Sequence, residues 1–298
     1  MPIPENQLET WCNQGAVVTS AAAYNSIRTA LTASSSRVRE LNPDIYLQGS
    51  YGNNTNIWAD SDVDIVVQYN QAFYPDLSAL VPLQQQAFTA AHSNQRYDWR
   101  AFHGDVLESL RSYYGAAAVV VGNKAIKVTV PNGRTADVVP AFQFRKYRAF
   151  QTIQHQLYVE GIQFEDRIGR PIINYPREHI ANGVAKNAPE RTNHRYKQIV
   201  RMFKNARNAA IGRHLIAEDV APSYFVECLA YNAPDHLFVA SRQNTFRAVL
   251  QYWSQHLSVD EALCQNEQIK LFGTSPQQWS TDHAAAFVNA LELLWNTW

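Results

Sequence analysis

Residues 62–67 read Asp62-Val63-Asp64-Ile65-Val66-Val67. In an extended strand successive side chains point to opposite faces, so both carboxylates project from one face while Val63 and Ile65 project from the other. A chain with this pattern must build a sheet that buries one side of the strand and leaves two acids together on the other. Immediately upstream, Gly49-Ser50-Tyr51-Gly52-Asn53-Asn54-Thr55 is a small-residue turn suited to phosphate, and Ser61 leads into the acids. Mg²⁺ takes hard oxygen ligands and is commonly held by one or two carboxylates together with substrate phosphates. Two such ions, roughly 4 Å apart, activate an attacking hydroxyl and stabilise a leaving pyrophosphate.

Two ions that close call for a third carboxylate from a neighbouring strand. Ala125-Ile126-Lys127-Val128-Thr129-Val130 alternates, Pro131-Asn132-Gly133 signals a turn, and Arg134-Thr135-Ala136-Asp137-Val138-Val139 returns, which predicts a hairpin. Asp137 is the only acid in the returning strand.

Composition sets outer bounds. With 298 residues, 46% of them hydrophobic, the chain can bury a sizeable core as one large or two modest domains. The 26 basic and 26 acidic residues cancel, which argues against a stably bound nucleic acid. Cys12, Cys228 and Cys264 are odd in number and lack Cys-x-x-Cys spacing, so buried free thiols are expected rather than a disulfide framework or a structural zinc. His103, His155, His179, His194 and His214 show no ligand spacing. No apolar stretch approaches the length of a membrane span and residues 1–6 have no signal-peptide character, so the expectation is a cytoplasmic protein with no membrane partner.

Along the chain, helical spacing over 17–41 predicts one long helix leading into a strand at Ile45-Tyr46-Leu47, with Gly49 and Ser50 at its end. Residues 82–114 read as helices inserted before the Asp137 hairpin. Strand signals fade from about Gln151. After Pro171 the chain reads as helices broken at Asn187-Ala188-Pro189, Ala221-Pro222 and Ala233-Pro234. The predicted fold is α+β: a catalytic lobe over 1–160 with a mixed sheet, a helical lobe over 161–298, and the long N-terminal helix bridging the two as a spine.

The chain resembles the polymerase-β-type nucleotidyltransferases, and within them the cGAS/DncV-like group and the related oligoadenylate synthases. The resemblance rests on Gly49-Ser50, Thr55, Ser61-Asp62-Val63-Asp64-Ile65-Val66-Val67 and Ala136-Asp137-Val138-Val139-Pro140-Ala141-Phe142. It continues through Asn174-Tyr175-Pro176, Tyr196-Lys197-Gln198-Ile199-Val200-Arg201-Met202-Phe203-Lys204 and Pro222-Ser223-Tyr224, and so spans most of the chain. These enzymes often carry Gly just before the Thr. Here that position is Asn54, which tolerates positive φ better than most residues.

Eight cations stand between Lys186 and Arg213 against one acid, Glu190. If 195–209 is helical, Lys197, Arg201 and Lys204 share one face, and Tyr196, Ile199, Val200 and Phe203 line another. One face is expected to pack and the other to meet water or phosphate. The resemblance implies that Lys197 reaches the triphosphate as a compact point charge, with Lys204 a weaker choice for the same duty. It also implies that Ser223-Tyr224 meets the donor base, a ring face being a platform any base can use. Asn174 offers a donor and an acceptor to a base edge; it equally suits a plain turn before Pro176.

Together these imply a metal-dependent synthase that joins two or three nucleoside triphosphates, purine or pyrimidine, into a cyclic oligonucleotide. Asp62 and Asp64 would bind two Mg²⁺ ions, with Mn²⁺ able to substitute. Asp137 would complete the ion nearest the attacking hydroxyl, and Gly49 and Ser50 would hold the β/γ-phosphates. The resemblance further implies a bacterial monomer in anti-phage signalling whose product acts on a separate effector. Two alternatives stay open: a nucleotidyltransferase that modifies RNA or a protein hydroxyl, and a nucleotide-sensing module without catalysis.

Overall fold

The computed structural model describes residues 1–15, 18–58, 62–93, 97–257, 262–275 and 277–298. Ser61 and the first residue of the 17–41 span lie outside them. In chain order the elements are α1 (Glu5–Trp11), α2 (Val18–Thr32), α3 (Arg37–Leu41), β1 (Asp44–Leu47), α4 (Gly49–Gly52), β2 (Asp62–Asp76), α5 (Pro82–Ala91) and α6 (Trp99–Tyr114). Then follow β3 (Val119–Val121), β4 (Ile126–Thr129), β5 (Thr135–Thr152), β6 (His155–Glu165), β7 (Pro171–Asn174) and α7 (Pro176–Lys186). The chain closes with α8 (Pro189–Thr192), α9 (Tyr196–Gly212), α10 (Ser223–Asn232), α11 (Arg242–His256) and α12 (Thr281–Asn296). None of these helices is long and apolar enough to cross a membrane.

The chain divides into two compact units. A sheet unit takes Val17–Gln48 and Ser61–Arg177; a helical unit takes Met1–Ala16, Gly49–Asp60 and Glu178–Trp298. The loop between the first two strands therefore belongs with the helices, although the strands themselves are paired.

In the sheet unit the strand order is β1-β2-β5-β4-β3, with β6 joined to the far half of β5 and β7 to β6. β2 and β5 run parallel and the other pairings are antiparallel. Val63, Ile65, Val67 and Tyr69 of β2 lie buried on one face, where Tyr69 and Phe142 meet Phe102 of α6. Asp98 caps α6 by accepting a bond from Ala101 N at 2.8 Å, and Trp99 Nε1 donates to Pro140 O at 2.7 Å. The predicted hairpin is present, with Gly133 at φ +80° in its turn. The inserted helices are α5 and α6.

Two expectations change. The single helix over 17–41 is two, α2 and α3, separated at Ala33–Ser36, and both belong to the sheet unit, where α2 packs on α6, β2 and β5. Strands do not end near Gln151: β6 and β7 carry the sheet to Asn174, so residue 160 falls inside β6. The long β5 supplies the reason, because its second half would otherwise present an unpaired edge over Phe142–Thr152, which β6 covers.

The helical unit is built around α9, whose Tyr196, Ile199, Val200, Met202, Phe203 and Ala206 are buried together with Ile3 and Leu8 from the chain start and with residues of α10, α11 and α12. The predicted breaks hold: α7 ends at Lys186, and α10 lies between Pro222 and Ala233. Cys12, Cys228 and Cys264 are buried free thiols.

Removing the α6 cap isolates one local contribution. Asp98→Ala should lower unfolding free energy by about 1 kcal/mol, the usual cost of losing an N-cap acceptor. Urea unfolding measures it, and an unchanged midpoint would show that the cap is not needed to start α6.

Candidate active site

The carboxylates stand where the strand pairing puts them. In the parallel ladder Asp64 lies opposite Asp137 and Asp62 opposite Thr135; in the antiparallel ladder Lys127 of β4 lies opposite Asp137. Directly opposed residues share a face, so Asp62, Asp64, Asp137, Thr135 and Lys127 occupy one side of the sheet. Val63, Ile65, Ala136 and Val138 are buried on the other. Lys127 Nζ donates to Asp62 Oδ2 at 2.7 Å and Thr135 Oγ1 donates to Asp62 Oδ1. Burial raises the Asp137 carboxyl above its ordinary value; Lys127 opposes this and Asp62 adds to it. Lys127 is pushed up in turn by its bond to Asp62.

These donors suit a divalent cation in chemistry: hard carboxylate oxygens, two residues apart on one strand and level with a third on the next. As the side chains lie, no group of three or more His, Cys, Asp or Glu among the described residues is close enough to hold an ion. Asp62 in particular has both oxygens engaged by Lys127 and Thr135. Sequence reading passed over Lys127 and Thr135, yet a signal existed. Counting outward from the Pro131-Asn132-Gly133 turn pairs Thr129 with Thr135 and so Lys127 with Asp137.

Asn174 ends β7 opposite Ile162, which itself lies opposite Gln143 of β5. Gln143 is an even number of residues beyond Asp137, so Asn174 stands on the carboxylate side of the sheet. Gly161 makes room for this segment, since a methyl there would come within 2.8 Å of Asn174 O and 3.0 Å of the Tyr175 ring.

In the helical unit, Gly49 has φ +60° and opens a single helical turn closed by Asn53 N to Gly49 O (3.1 Å) and Thr55 N to Ser50 O (2.9 Å). Asn54 has φ +56°, a left-handed backbone that Asn tolerates better than most residues. This turn is held by α9: Arg201 donates to Asn54 O at 2.6 Å and Lys204 Nζ to Thr55 O at 3.1 Å.

The polar face of α9 is therefore not open to water as expected. Lys204 is 1% exposed and lies 3.2 Å from Glu227 Oε2, which removes it as a point charge for a triphosphate. Lys197 is also buried, and desolvation lowers its pKa while Glu227 pulls it back. It makes no ion pair among the described residues. The wider cationic cluster is similarly committed: Lys186 and Arg191 pair with Asp235 at 2.8 and 2.6 Å, and Arg207 donates to Ser223 Oγ at 3.1 Å.

Tyr224 keeps 37% of its surface exposed while its ring lies 5.2 Å from His179, nearly parallel, and 5.5 Å from Trp279. Its hydroxyl points inward, accepts from Asn266 Nδ2 at 3.2 Å, and has a pKa pushed far up by burial. Sequence reading placed no weight on Glu227 or His179. Glu227 is a lone acid in an apolar helix, Phe225-Val226-Glu227-Cys228-Leu229, and that isolation was the available signal.

Residues 181–296 match the family described as the cGAS/DncV-like nucleotidyltransferase C-terminal helical domain. The chain is 42% identical to a cyclic UMP-AMP synthase of Rhodothermus marinus over 100% of its own length and 99% of the relative's. It is 39% identical to the cyclic nucleotide synthase CdnE01 of Staphylococcus haemolyticus, with both chains covered completely. The solved structure of the R. marinus CdnE c-UMP-AMP synthase with Apcpp and Upnpp superposes with a TM-score of 0.89 at 41% identity, covering 100% of this chain and 98% of that one.

The raised Asp137 pKa has a measurable sign. A carboxyl whose folded-state pKa exceeds its unfolded value contributes stability below the ordinary value of 3.8 and loses it as pH rises through the raised value. In chelator-treated protein Asp137→Asn should melt higher than wild type at pH 7, the gap closing as the pH falls toward 3.8. A variant that melts lower at pH 7 would mean that the attraction of Lys127 outweighs burial.

Proposed function

Because this chain belongs to the cGAS/DncV-like nucleotidyltransferases, we propose that it joins two or three nucleoside triphosphates into a cyclic oligonucleotide second messenger with release of pyrophosphate. The observation that carries this reading is the register of β2 and β5, which sets Asp62, Asp64 and Asp137 on one side of the sheet. Asp62, Asp64 and Asp137 would hold two Mg²⁺ ions, with Mn²⁺ able to substitute, and these when bound supply positive charge to the attacking hydroxyl and the leaving pyrophosphate.

The protein's own groups do the rest. Gly49 and Ser50 offer a turn without bulky side chains to the β/γ-phosphates, and Lys197 adds an ammonium with no competing ion pair among the described residues. Tyr224 stacks the donor base, with Ser223 held beside it by Arg207. Asn174 reads a base edge on the carboxylate side. Asp137, level with Asp64 on the neighbouring strand, would complete the ion nearest the attacking hydroxyl and so favour its deprotonation. The R. marinus relative makes ATP and UTP the first pair to test. The product acts on a separate effector in anti-phage defence, and a monomer working in the cytoplasm on free nucleotides suffices for this.

Addition of nucleotides to RNA is disfavoured because Lys186, Arg191 and Lys204 are spent on internal carboxylates and form no continuous basic groove. A sensing module without catalysis is disfavoured because all three acids stand on one face.

Purified protein incubated with each labelled triphosphate, singly and in pairs with Mg²⁺ or Mn²⁺, should yield a phosphatase-resistant product identifiable by mass. Asp62→Asn, Asp64→Asn and Asp137→Asn should each cut its rate by about 10³ or more, several kcal/mol of transition-state stabilisation, while leaving the protein folded. Wild-type turnover in the Asp62/Asp64 double variant would remove the metal assignment.

Specificity and affinity should separate. Lys197→Ala should raise KM for triphosphates roughly tenfold, the worth of one charge-assisted contact, and Arg207→Ala much less. Asn174→Ser should change the nucleotide ratio in the product, whereas Tyr224→Ala should weaken all four nucleotides alike. The reverse pattern would exchange the roles of Asn174 and Tyr224.

A further inference from the structure

Glu227 lies three residues beyond Tyr224 on α10, is 3% exposed, and has both carboxylate oxygens saturated. Oε1 accepts from Asn53 Nδ2 and lies 2.8 Å from His179 Nε2. Oε2 accepts from Thr55 Oγ1 at 2.7 Å and faces Lys204 Nζ at 3.2 Å. Burial alone would raise this carboxyl; Lys204 and the bonds from His179 and Thr55 outweigh it and hold the group ionised. An ionised carboxylate only accepts, so Nε2 is the protonated nitrogen of His179. The His179 ring then stacks on Tyr224 at 5.2 Å and 24°.

We propose that Glu227 is the positioning residue of the donor-nucleotide site: a single buried carboxylate sets the triphosphate turn through Asn53 and Thr55, and the base platform through His179 and Tyr224. This rests on the reading of residues 49–55 and Tyr224 given above. Fold stability is a poor reason for such a cluster, since buried ion pairs replaced by well-packed apolar groups of equal volume often cost nothing. An apolar contact, however, cannot fix a hydroxyl, an amide and the plane of an imidazole in one arrangement. Geometry elsewhere agrees. Gly183, one turn after His179 on α7, is bare where a methyl group would overlap Asn53 Oδ1 and Gln265 Nε2, so helix, turn and carboxylate are packed as one body.

The two arms can be cut separately. Thr55→Val severs the turn, His179→Leu releases the ring, and Glu227→Gln disturbs both. Calorimetry well below the melting temperature would use inorganic tripolyphosphate as a probe of the turn alone and a non-hydrolysable ATP analogue as a probe of turn and base together. Thr55→Val should weaken both probes by roughly tenfold, the worth of a hydrogen bond to a charged group, and Thr55→Ser should restore them. His179→Leu should weaken only the nucleotide. Glu227→Gln should weaken both, with KM rising far more than kcat falls. Unchanged affinities in variants whose melting temperature alone drops would overturn the proposal, and should Glu227→Gln fail to fold, the Thr55 and His179 variants decide it. A wild type that binds neither probe would instead refute the reading of the turn and platform on which the proposal rests.

Discussion

The parallel pairing of β2 with β5 is the constraint from which the carboxylate site follows. Parallel neighbours cannot be joined by a tight turn and need a long crossover. Here the crossover carries α5, α6 and the β3–β4 strands, and α6 covers the apolar side of both strands through Phe102. Burial of Val63, Ile65, Ala136 and Val138 on that side leaves the acids on the other. A slip of one residue in either strand would carry Asp64 or Asp137 into the core, where an unpaired charge is prohibitive.

Both units handle buried or crowded charge by local neutralisation. On the sheet, Asp62 meets Lys127 and Thr135 beside the partly buried Asp137. In the helical unit Glu227 meets Lys204, His179, Thr55 and Asn53, and Asp235 meets Lys186 and Arg191. Of the cations on α9, Arg201 and Lys204 are occupied in holding the turn at 53–55, Arg207 donates to Ser223, and Lys197 makes no ion pair among the described residues.

Much of this was legible in the chain. Alternation over 62–67 and 125–139 marked both strands and their acids, because strand faces depend only on parity. Asn54 could be reconciled with a Gly position because left-handed backbone is a property of single residues, and φ +56° is what the turn uses. Proline placed the breaks around α10 for the same local reason. The misreadings arose where local pattern is weak. Ala33–Ser36 interrupts a helix without a Pro or Gly to announce it, and β6 mixes His, Gln and Tyr in a strand whose existence depends on the exposed edge of β5.

By itself the sequence determined residue-level matters: which acids share a strand face, where the backbone must turn left-handed, and where helices must stop. Those follow from sterics and parity within a few residues. Only the tertiary structure decided that Lys127 meets Asp62, that Lys204 is buried on Glu227 rather than offered to phosphate, that His179 links Glu227 to Tyr224, and that the 49–60 loop belongs with helices while its flanking strands do not. Those are pairings between segments far apart in the chain. Their partners are selected by which apolar faces can be buried together, and the polar groups then meet whatever that packing brings beside them.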